Sequence, residues 1–237
     1  MSSDREPASS ALDIDMGNTR TKWRFGGATG HLPSPELPEL DATPARVRIA
    51  TVLRNRDAVA EAVMARFGLE AEFASTATTL AGVRCGYRDP ARLGVDRWLA
   101  LVAAWHRTRG AVAVIGAGTA ATVDFVDAGG RHEGGHIAPG LGLLRNALKH
   151  TADVRPAYTA EADLAPGNDT ERAVSSGTLV MLLGFVEVAV GAFAERCGDR
   201  VDIVLTGGDA GLLATRLSMP VRREPHLVLD GLAIALP

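Results

Sequence analysis

The chain of 237 residues is long enough for one large domain or two compact ones, each with an ample core. Hydrophobic residues make up 46% and charged residues 22%, which is the composition of a globular protein. The net charge of −3 gives no support for general nucleic-acid binding, so that class of function is not expected.

The chain shows neither a metal-ligand cysteine cluster nor a targeting signal. Its two cysteines, Cys85 and Cys197, are most simply explained by a reducing, cytoplasmic setting. The first ten residues are polar and lack the apolar core of a signal peptide, so residues 1–11 are predicted to form a disordered leader. The longest apolar run, residues 179–193, is shorter than the ~20 residues that a membrane-spanning helix needs. We therefore expect no membrane partner.

The N-terminal part of the chain predicts a β-hairpin with a polar tip. Apolar residues alternate over residues 12–16 and again over residues 21–25, and the pair Gly17–Asn18 between them tolerates a positive φ. Glycine allows an anion to approach the backbone, and the amides and the Thr19 hydroxyl can donate to it. Asp15 could hold a hydrated metal ion beside that anion. An ordinary tight turn is the alternative for a hairpin considered alone.

A similar hairpin is predicted over residues 112–126, with Gly118 and Thr119 at its tip. Two such tips at corresponding places in two halves could close on one polyphosphate. Residues 116–121 also match the relaxed dinucleotide pattern Gly-x-Gly-x-x-Ala. That pattern requires a helix directly after the glycines, whereas residues 122–126 favour a strand, so the dinucleotide interpretation is rejected.

The remaining elements alternate between strands and helices, which predicts a layered α/β fold. Residues 31–44 contain four prolines and are predicted to be a surface loop, and residues 77–93 a second loop. Predicted strands cover residues 47–53, 69–73, 131–138 and 201–205, and predicted helices cover 55–67, 94–105, 139–148, 169–197, 209–217 and 226–236. Residues 151–167 are expected to be a loop.

Several residues admit both a structural and a functional interpretation. Tyr87 either packs its ring or lines a ligand pocket, and Asp96 in the first turn of a helix is favourable for the helix dipole alone. His136 is interpreted as a polar lining residue rather than a metal ligand, because no second ligand lies at a usable spacing. Gly177, Gly184 and Gly191 repeat every seven residues on one helix, which indicates close packing, within the domain as the first choice or across a dimer.

Five motifs occur in an order and spacing that resemble type III pantothenate kinases. They are Asp15-x-Gly17-Asn18-Thr19-x-x-Lys22, Gly94-Val95-Asp96-Arg97, Gly118-Thr119-Ala120-x-Thr122-x-Asp124, Gly134-Gly135-x-Ile137-x-Pro139-Gly140 and Thr206-Gly207-Gly208. The resemblance covers residues 12–237. One such motif is a weak signal, but five in order are a strong one.

The resemblance implies a fold, a reaction and an assembly. The fold would be α/β, with two related actin-like (ribonuclease H-like) domains at residues 12–110 and 111–237 and a nucleotide cleft between them. The reaction would be the ATP- and Mg²⁺-dependent phosphorylation of pantothenate at its 4′-hydroxyl, the first step of coenzyme A biosynthesis. The family also implies a homodimer. No P-loop or protein-kinase motif set is present, so ATP use would depend on the paired hairpins.

The resemblance also assigns roles to particular residues. Asp96 would accept the proton of the substrate hydroxyl, and Asp15 would contribute to magnesium binding. The ATP-binding positions would be Asp15, Met16, Gly17, Asn18, Thr19, Arg20, Thr21, Lys22, Gly118, Thr119, Thr206, Gly207 and Gly208. The pantothenate-binding positions would be Tyr87, Gly94, Val95, Asp96, Arg97, Ile137 and Thr178.

One position departs from the family pattern. The family usually has Asp where this chain has Gly116, and that Asp coordinates a monovalent cation, K⁺ or NH₄⁺. Glycine has no carboxylate, so we expect this cation site to be altered or lost. Two alternatives to a pantothenate kinase are a sugar or acetate-type kinase, which would not require Gly94–Arg97, and a catalytically weak regulatory relative. The presence of Asp15, Lys22, Asp96 and Thr119 argues against the second alternative.

Overall fold

The first half of the chain forms a five-stranded sheet in the computed structural model, which describes residues 10–148, 163–198 and 200–237. Its strands are β1 (Ala11–Met16), β2 (Arg20–Phe25), β3 (Ala28–Pro33), β4 (Arg46–Thr51) and β5 (Ala71–Phe73). They lie in the order β3-β2-β1-β4-β5, with antiparallel pairing from β1 to β3 and parallel pairing among β1, β4 and β5. A separate two-stranded hairpin consists of β6 (Thr79–Leu80) and β7 (Val83–Arg84).

The second half forms another five-stranded sheet with the same topology. Its strands are β8 (Val112–Ala117), β9 (Ala120–Val126), β10 (His132–Pro139), β11 (Asp202–Thr206) and β12 (Arg222–Arg223). Their order is β10-β9-β8-β11-β12, again with an antiparallel meander followed by two parallel strands. The repeated topology confirms the expected α/β fold of two related halves.

Six α-helices accompany these sheets in the described parts of the chain. They are α1 (Arg56–Phe67), α2 (Val95–Thr108), α3 (Leu141–Ala147), α4 (Thr170–Cys197), α5 (Ala210–Ala214) and α6 (Leu227–Ala235). The Asn55 side chain caps α1 by accepting from the Ala58 amide, and the Asp169 side chain caps α4 by accepting from the Arg172 amide. Gly68 and Gly198 end these two helices in the left-handed conformation.

The chain divides into two compact units that differ from a simple cut in the middle. The first unit comprises the residues up to His106 together with His226–Pro237, and the second comprises Arg107–Pro225. The expected division between residues 110 and 111 lies close to the observed boundary between His106 and Arg107. The last twelve residues, however, belong with the first half rather than with the second, because α6 packs on β1 and β4.

Each unit has its own apolar core on one face of its sheet. In the first unit, Leu12, Ile14 and Ile49 pack with Val59 and Val63 of α1. In the second unit, the core joins the sheet to the inner face of α4, and its members include Ile115, Val123, Phe125, Leu179, Leu182, Val186 and Phe193. The alternating apolar residues of β1, Leu12, Ile14 and Met16, therefore lie on the core face, while the opposite face of β1 is buried as well.

A buried ion cluster attaches α6 to the other face of the first sheet. Asp13 is 1% exposed and accepts from Arg48 Nε at 2.7 Å and from Arg24 Nη2 at 2.9 Å. Arg24 Nη1 also donates to Asp230 Oδ1 at 2.6 Å, and Arg48 Nη1 donates to the Leu236 carbonyl at 2.6 Å. Arg24 thus links Asp13 of β1 to α6, and Arg48 links the same Asp13 to the residue that follows α6.

Some predicted elements were wrong in extent. Residues 28–33 form β3, although residues 31–44 were predicted to be a loop throughout. The predicted loop at residues 77–93 contains the β6–β7 hairpin, and the helix predicted to reach residue 217 ends at Ala214. The predicted leader, residues 1–11, lies outside the described residues up to position 9, as does the part of the predicted loop up to residue 162.

The helix α4 has the predicted extent, but its apolar length and its packing differ from expectation. With 28 residues, it is long and apolar enough to cross a bilayer, although 44% of its most apolar window is buried inside the protein, as in a core helix. A Cβ atom added at Gly177, Gly184 or Gly191 would meet no atom within 4 Å among the described residues. The prediction that these glycines pack closely within the domain was therefore wrong.

Candidate active site

The first hairpin tip is formed by residues 17–19 between β1 and β2. The Gly17 amide donates to the Arg20 carbonyl at 3.0 Å, which closes the tip and leaves Asn18 and Thr19 exposed. Neither Gly17 nor Asn18 adopts a positive φ, so the expected left-handed turn is absent. The three-residue loop reverses the chain direction between β1 and β2 without a residue of positive φ.

Asp15 and Lys22 lie opposite each other on β1 and β2, next to this tip. Burial raises the pKa of Asp15 from 3.8 to about 7, while the positive charge of Lys22 lowers it and the negative charge of Asp96 raises it further. Three charged groups that the sequence separates widely are therefore electrostatic neighbours within the first unit. A carboxyl poised near neutrality is a feature of functional sites.

Asp96 occupies the first turn of α2, directly after the Gly94–Val95 pair. A Cβ atom at Gly94 would lie 2.7 Å from Asp96 Oδ1, so the glycine provides the space for this carboxylate. Trp98 donates its amide to the Gly94 carbonyl at 3.0 Å, which fixes the start of the helix. The favourable position of Asp96 at a helix N-terminus is thus combined with proximity to Asp15.

Arg97 and Tyr87 are paired in the first unit. Arg97 Nη1 donates to Tyr87 Oη at 3.2 Å, and its guanidinium carbon lies 5.9 Å from the centre of the tyrosine ring. Both side chains are partly exposed, and Arg97 follows Asp96 directly in α2. The first unit therefore brings together Asp15, Lys22 and Asp96, with the Arg97–Tyr87 pair extending from the same helix turn.

The second tip, Gly118–Thr119, lies at the carboxyl end of β8 and is closely packed by two glycine turns. A Cβ atom at Gly140 would lie 2.0 Å from the Gly118 carbonyl oxygen, and the Gly140 amide donates to the Thr119 carbonyl at 3.0 Å. Gly207 has a φ of 109°, and a Cβ atom there would lie 2.2 Å from the Ala117 carbonyl oxygen. Only glycine fits these two contacts.

The predicted ATP-binding residues of the second unit therefore meet at one end of its sheet. Thr206 ends β11, and Gly207 and Gly208 follow it. The parallel neighbour of β11, β8, leads into Gly118 and Thr119. The carboxyl ends of parallel strands are the usual place for ligands in open α/β sheets.

Gly116 lies between two threonines on neighbouring strands. Its register partners are Thr122 on β9 and Thr206 on β11, and a Cβ atom at position 116 would lie 2.6 Å from Thr122 Oγ1. The Thr206 hydroxyl is buried, and no described residue forms a hydrogen bond with it. Hydroxyl groups, rather than a carboxylate, thus surround the place where the family usually has Asp.

Two predicted pantothenate-binding residues of the second unit lie on different faces of its sheet. Ile137 is 62% exposed and pairs with Thr122 on the face that points away from the core. Thr178 is buried in α4, which packs on the core face, and its hydroxyl donates to the Val174 and Ser175 carbonyls at 2.7 and 3.1 Å. The structure of this unit does not bring the two side chains together.

Three other predicted site residues have buried side chains. Met16 and Val95 are 1% and 6% exposed. Thr21 is fully buried, and its hydroxyl has no hydrogen-bond partner within residues 10–148, 163–198 and 200–237. These residues can reach a ligand only through the backbone. Arg20 and Thr19, by contrast, are exposed at the tip.

Two polar clusters were not predicted from the sequence. His132 Nε2 lies 3.5 Å from Asp124 Oδ1, and both residues are buried. Arg145 on α3 donates to Ser175 Oγ on α4 at 3.0 Å. Asp124 was only a position in a motif and Arg145 only a helix residue, so no pattern in the sequence indicated either pairing.

The described residues contain no group of three or more His, Cys, Asp or Glu that could hold a metal ion. This is compatible with Mg²⁺, which keeps several waters and is usually held by one or two carboxylates together with substrate phosphates. Asp15 beside the first tip supplies such a carboxylate. Cys85 and Cys197 are both free thiols.

Comparison with known proteins shows which family shares this arrangement. The family model of type III pantothenate kinase matches residues 28–192. A type III pantothenate kinase from Azotobacter vinelandii is 43% identical over 248 residues, covering 95% of this chain and 98% of the relative. The chain belongs to the type III pantothenate kinase family. A family member from Pseudomonas aeruginosa is 40% identical over 245 residues, with 95% and 98% coverage.

Solved structures that resemble this family member support the fold assignment. A Baf family transcriptional activator from Campylobacter jejuni has a TM-score of 0.58 at 19% identity and covers 94% of this chain and 95% of its own. An archaeal actin homologue has a TM-score of 0.51 at 14% identity, with coverages of 94% and 97%. At these identities the similarity concerns the fold alone, which is actin-like.

Proposed function

We propose that this protein is a pantothenate kinase, which transfers the γ-phosphoryl group of ATP to the 4′-hydroxyl of pantothenate in the first step of coenzyme A biosynthesis. The observation that carries the proposal is the family match across most of the chain, together with Asp15, Lys22 and Asp96 as electrostatic neighbours in one unit. The reaction and the family are those expected from the five motifs.

ATP binding would use both hairpin tips. The exposed tip at residues 17–19 offers backbone amides and the Thr19 hydroxyl, and Lys22 supplies a positive charge for the phosphates. Gly118 and Thr119 would contact the phosphates from the second unit, while Thr206, Gly207 and Gly208 would border the adenosine. The close contact of Gly207 with the Ala117 backbone holds this turn against the end of β8, next to the second tip.

The chemical step requires alignment and a place for one proton. The pantothenate hydroxyl oxygen would form a bond to the γ-phosphorus as the bond to the ADP oxygen breaks, and Asp96 would take the hydroxyl proton. Bound magnesium would neutralise charge on the phosphates, and the Asp15 carboxylate is the group that would help to hold it. The pair of Arg97 and Tyr87, adjacent to Asp96, would position the pantothenate.

A monovalent-cation site of the family type does not fit this chain. Gly116 offers no carboxylate, and a side chain at this position would meet the Thr122 hydroxyl at 2.6 Å. Threonine oxygens are neutral, so they compensate the charge of a cation less well than a carboxylate does. We therefore expect the reaction to depend little on K⁺ or NH₄⁺.

The exposed face of α4 supports a homodimer. Val180, Met181 and Val188 are 52%, 61% and 73% exposed, and they share a helix face with Gly184. A Cβ atom added at Gly184 would lie within 4 Å of no described atom. A second copy of this face would bury the apolar side chains, with the glycines allowing close approach. We further expect the enzyme to act in the cytoplasm and to require neither nucleic acid nor a membrane.

A coupled assay of ADP formation tests the proposed function. Pantothenate should be required for ADP release, and a panel of sugars and acetate should give only the background rate. ADP formation with a sugar or acetate but not with pantothenate would favour another kinase of the same fold. Absence of ADP formation with every acceptor would favour the catalytically weak relative.

A further inference from the structure

Arg145 is a partly buried cation without a carboxylate partner in the described parts of the chain. Its Nη2 donates to Ser175 Oγ at 3.0 Å, whereas its Nε is buried and finds no hydrogen-bond partner among the residues that the structure describes. Burial lowers the pKa of the Arg145 guanidinium below its ordinary value, and the negative charge of Asp209 offsets part of this effect from a distance. No ion pair joins Arg145 to a carboxylate among the residues described.

The other shielded arginines of the protein are compensated in a different way. Arg24 and Arg48 both share the buried carboxylate of Asp13, and Arg24 also pairs with Asp230. A charge removed from water without such a partner is costly to the folded protein. A purely structural Arg145 would be expected to have a carboxylate of this kind, and among the described residues its side-chain partner is the neutral Ser175 hydroxyl.

The position of Arg145 connects it with the second hairpin tip. Its helix, α3, starts at Gly140, whose amide bonds to the Thr119 carbonyl at 3.0 Å. Asp209, whose charge acts on Arg145, follows the Gly207–Gly208 turn and donates its amide to the Ala117 carbonyl at 3.0 Å. Arg145 therefore belongs to the same end of the second unit as Gly118, Thr119 and the glycine turn.

We propose that Arg145 is an additional ligand-binding residue, whose unpaired guanidinium N–H groups bind an oxyanion of a substrate. The inference rests on the proposed function, which supplies two such oxyanions: a phosphate of ATP and the carboxylate of pantothenate. A guanidinium presents its donors in a planar fork that matches either group, and Ser175 fixes the orientation of that fork.

Steady-state kinetics and ligand-induced thermal shifts of Arg145→Met test the proposal. Methionine keeps much of the length of the side chain but has neither charge nor donors. The KM for one substrate should rise about tenfold to a hundredfold, since a charge-assisted hydrogen bond is lost. The melting temperature of the free protein should stay the same or rise, because a poorly compensated buried charge is removed. Arg145→Lys keeps the charge but not the planar fork of donors, so its KM should lie between those of the wild-type protein and Arg145→Met.

The two oxyanion sources are distinguished by which KM and which thermal shift change. A change confined to Mg–ATP assigns a phosphate, and a change confined to pantothenate assigns the carboxylate. The matched control is Arg172→Met, since Arg172 is 67% exposed in the first turn of α4 and pairs with Asp169. This control should behave like the wild-type protein.

The proposal is overturned if Arg145→Met matches Arg172→Met in both KM values, or if it melts earlier while both KM values stay unchanged. If Arg145→Met does not fold, Arg145→Gln replaces it, and a KM unchanged in that variant for both substrates has the same meaning. A wild-type protein without pantothenate-dependent ADP formation would instead refute the proposed function. Loss of ATP-induced stabilisation in Arg145→Met would in that case still support Arg145 as a phosphate ligand.

Discussion

At the scale of single residues, the ionisation of Asp15 links the fold to the site. In the folded protein its pKa is raised to about 7, mainly by burial, from 3.8. Between these two pH values the folded state binds more protons than the unfolded state, so protonated Asp15 contributes stability that is lost as the pH rises towards 7. Burial thus destabilises the charged form of Asp15 in the protein without ligand.

Replacing Asp15 by Asn should remove this pH dependence. Asn cannot ionise, so Asp15→Asn should gain stability relative to the wild-type protein as the pH rises from about 5 to about 8. Urea denaturation at both pH values measures the difference. Parallel stability profiles for the two proteins would show that Asp15 does not titrate in this range. In the kinase assay the same variant should need more Mg²⁺.

Asp96→Asn tests the residue assigned to the proton. The variant should lower kcat by roughly 10²-fold or more, because a positioned general base is removed. Binding of Mg–ATP, measured by calorimetry, should persist, since both hairpin tips are untouched. The exposed Asp41→Asn serves as a charge-matched control. Turnover close to that of the control would remove Asp96 from this role.

Gly116 is the residue at which the chain departs from its family. We expect activity to change little when K⁺ is replaced by a large inert cation at constant ionic strength. Gly116→Asp should lower activity without K⁺ and regain it when K⁺ is added, because the new carboxylate adds negative charge near the phosphates. Gly116→Ala introduces the same contact with Thr122 but no charge, so it is the matched control. A strong K⁺ requirement in the wild-type protein would show that hydroxyl or carbonyl oxygens hold the ion.

The sequence could predict residues in local motifs but not those that meet through packing. The opposition of Asp15 and Lys22 follows from the hairpin register, and the helix start at Gly94 places Asp96. The contact between Arg145 and Ser175 depends on how α3 packs against α4, and no local pattern encodes that geometry.

At the scale of elements, the first hairpin was predictable because apolar residues alternate along β1 and β2, although β1 is buried on both faces. The second was predictable because an apolar run leads into its Gly–Thr tip. β3 was missed because it is an edge strand with little burial, and it carries Gly30 where a Cβ atom would lie 2.7 Å from the Trp23 indole. The glycine creates space for a partner ring rather than following an apolar pattern. The length of α4 was predictable from its capping residue and the Gly198 that ends it.

The exposed face of α4 gives a prediction about assembly. Gly184→Leu should disrupt the dimer while leaving the monomer as stable as before or slightly more stable. A Cβ at this position meets no described atom within 4 Å, and replacing glycine favours the helix by about 0.5–1 kcal/mol. Light scattering and thermal melting measure the two effects. The same change at Gly142 on α3, which is equally open, should leave the dimer intact. A wild-type monomer with full activity would refute the dimer.

At the scale of the whole molecule, the chain forms the same sheet topology twice, and its last segment then packs in the first unit. The repeated order of strands could be inferred from the two similar hairpins and their family resemblance. The return of α6 to the first unit could not, because the contact between Arg24 and Asp230 spans 206 residues. Such long-range ion pairs satisfy a buried carboxylate, Asp13, that a sequence pattern presents only as a polar position in a strand.

The most direct measurement is identification of the product by mass spectrometry after incubation with Mg–ATP and pantothenate. We predict that pantothenate gains one phosphoryl group, that one ADP forms for each product molecule, and that an analogue without the 4′-hydroxyl remains unchanged. Release of ADP without phosphorylated pantothenate, or phosphorylation of the analogue lacking the 4′-hydroxyl, would contradict the proposed reaction.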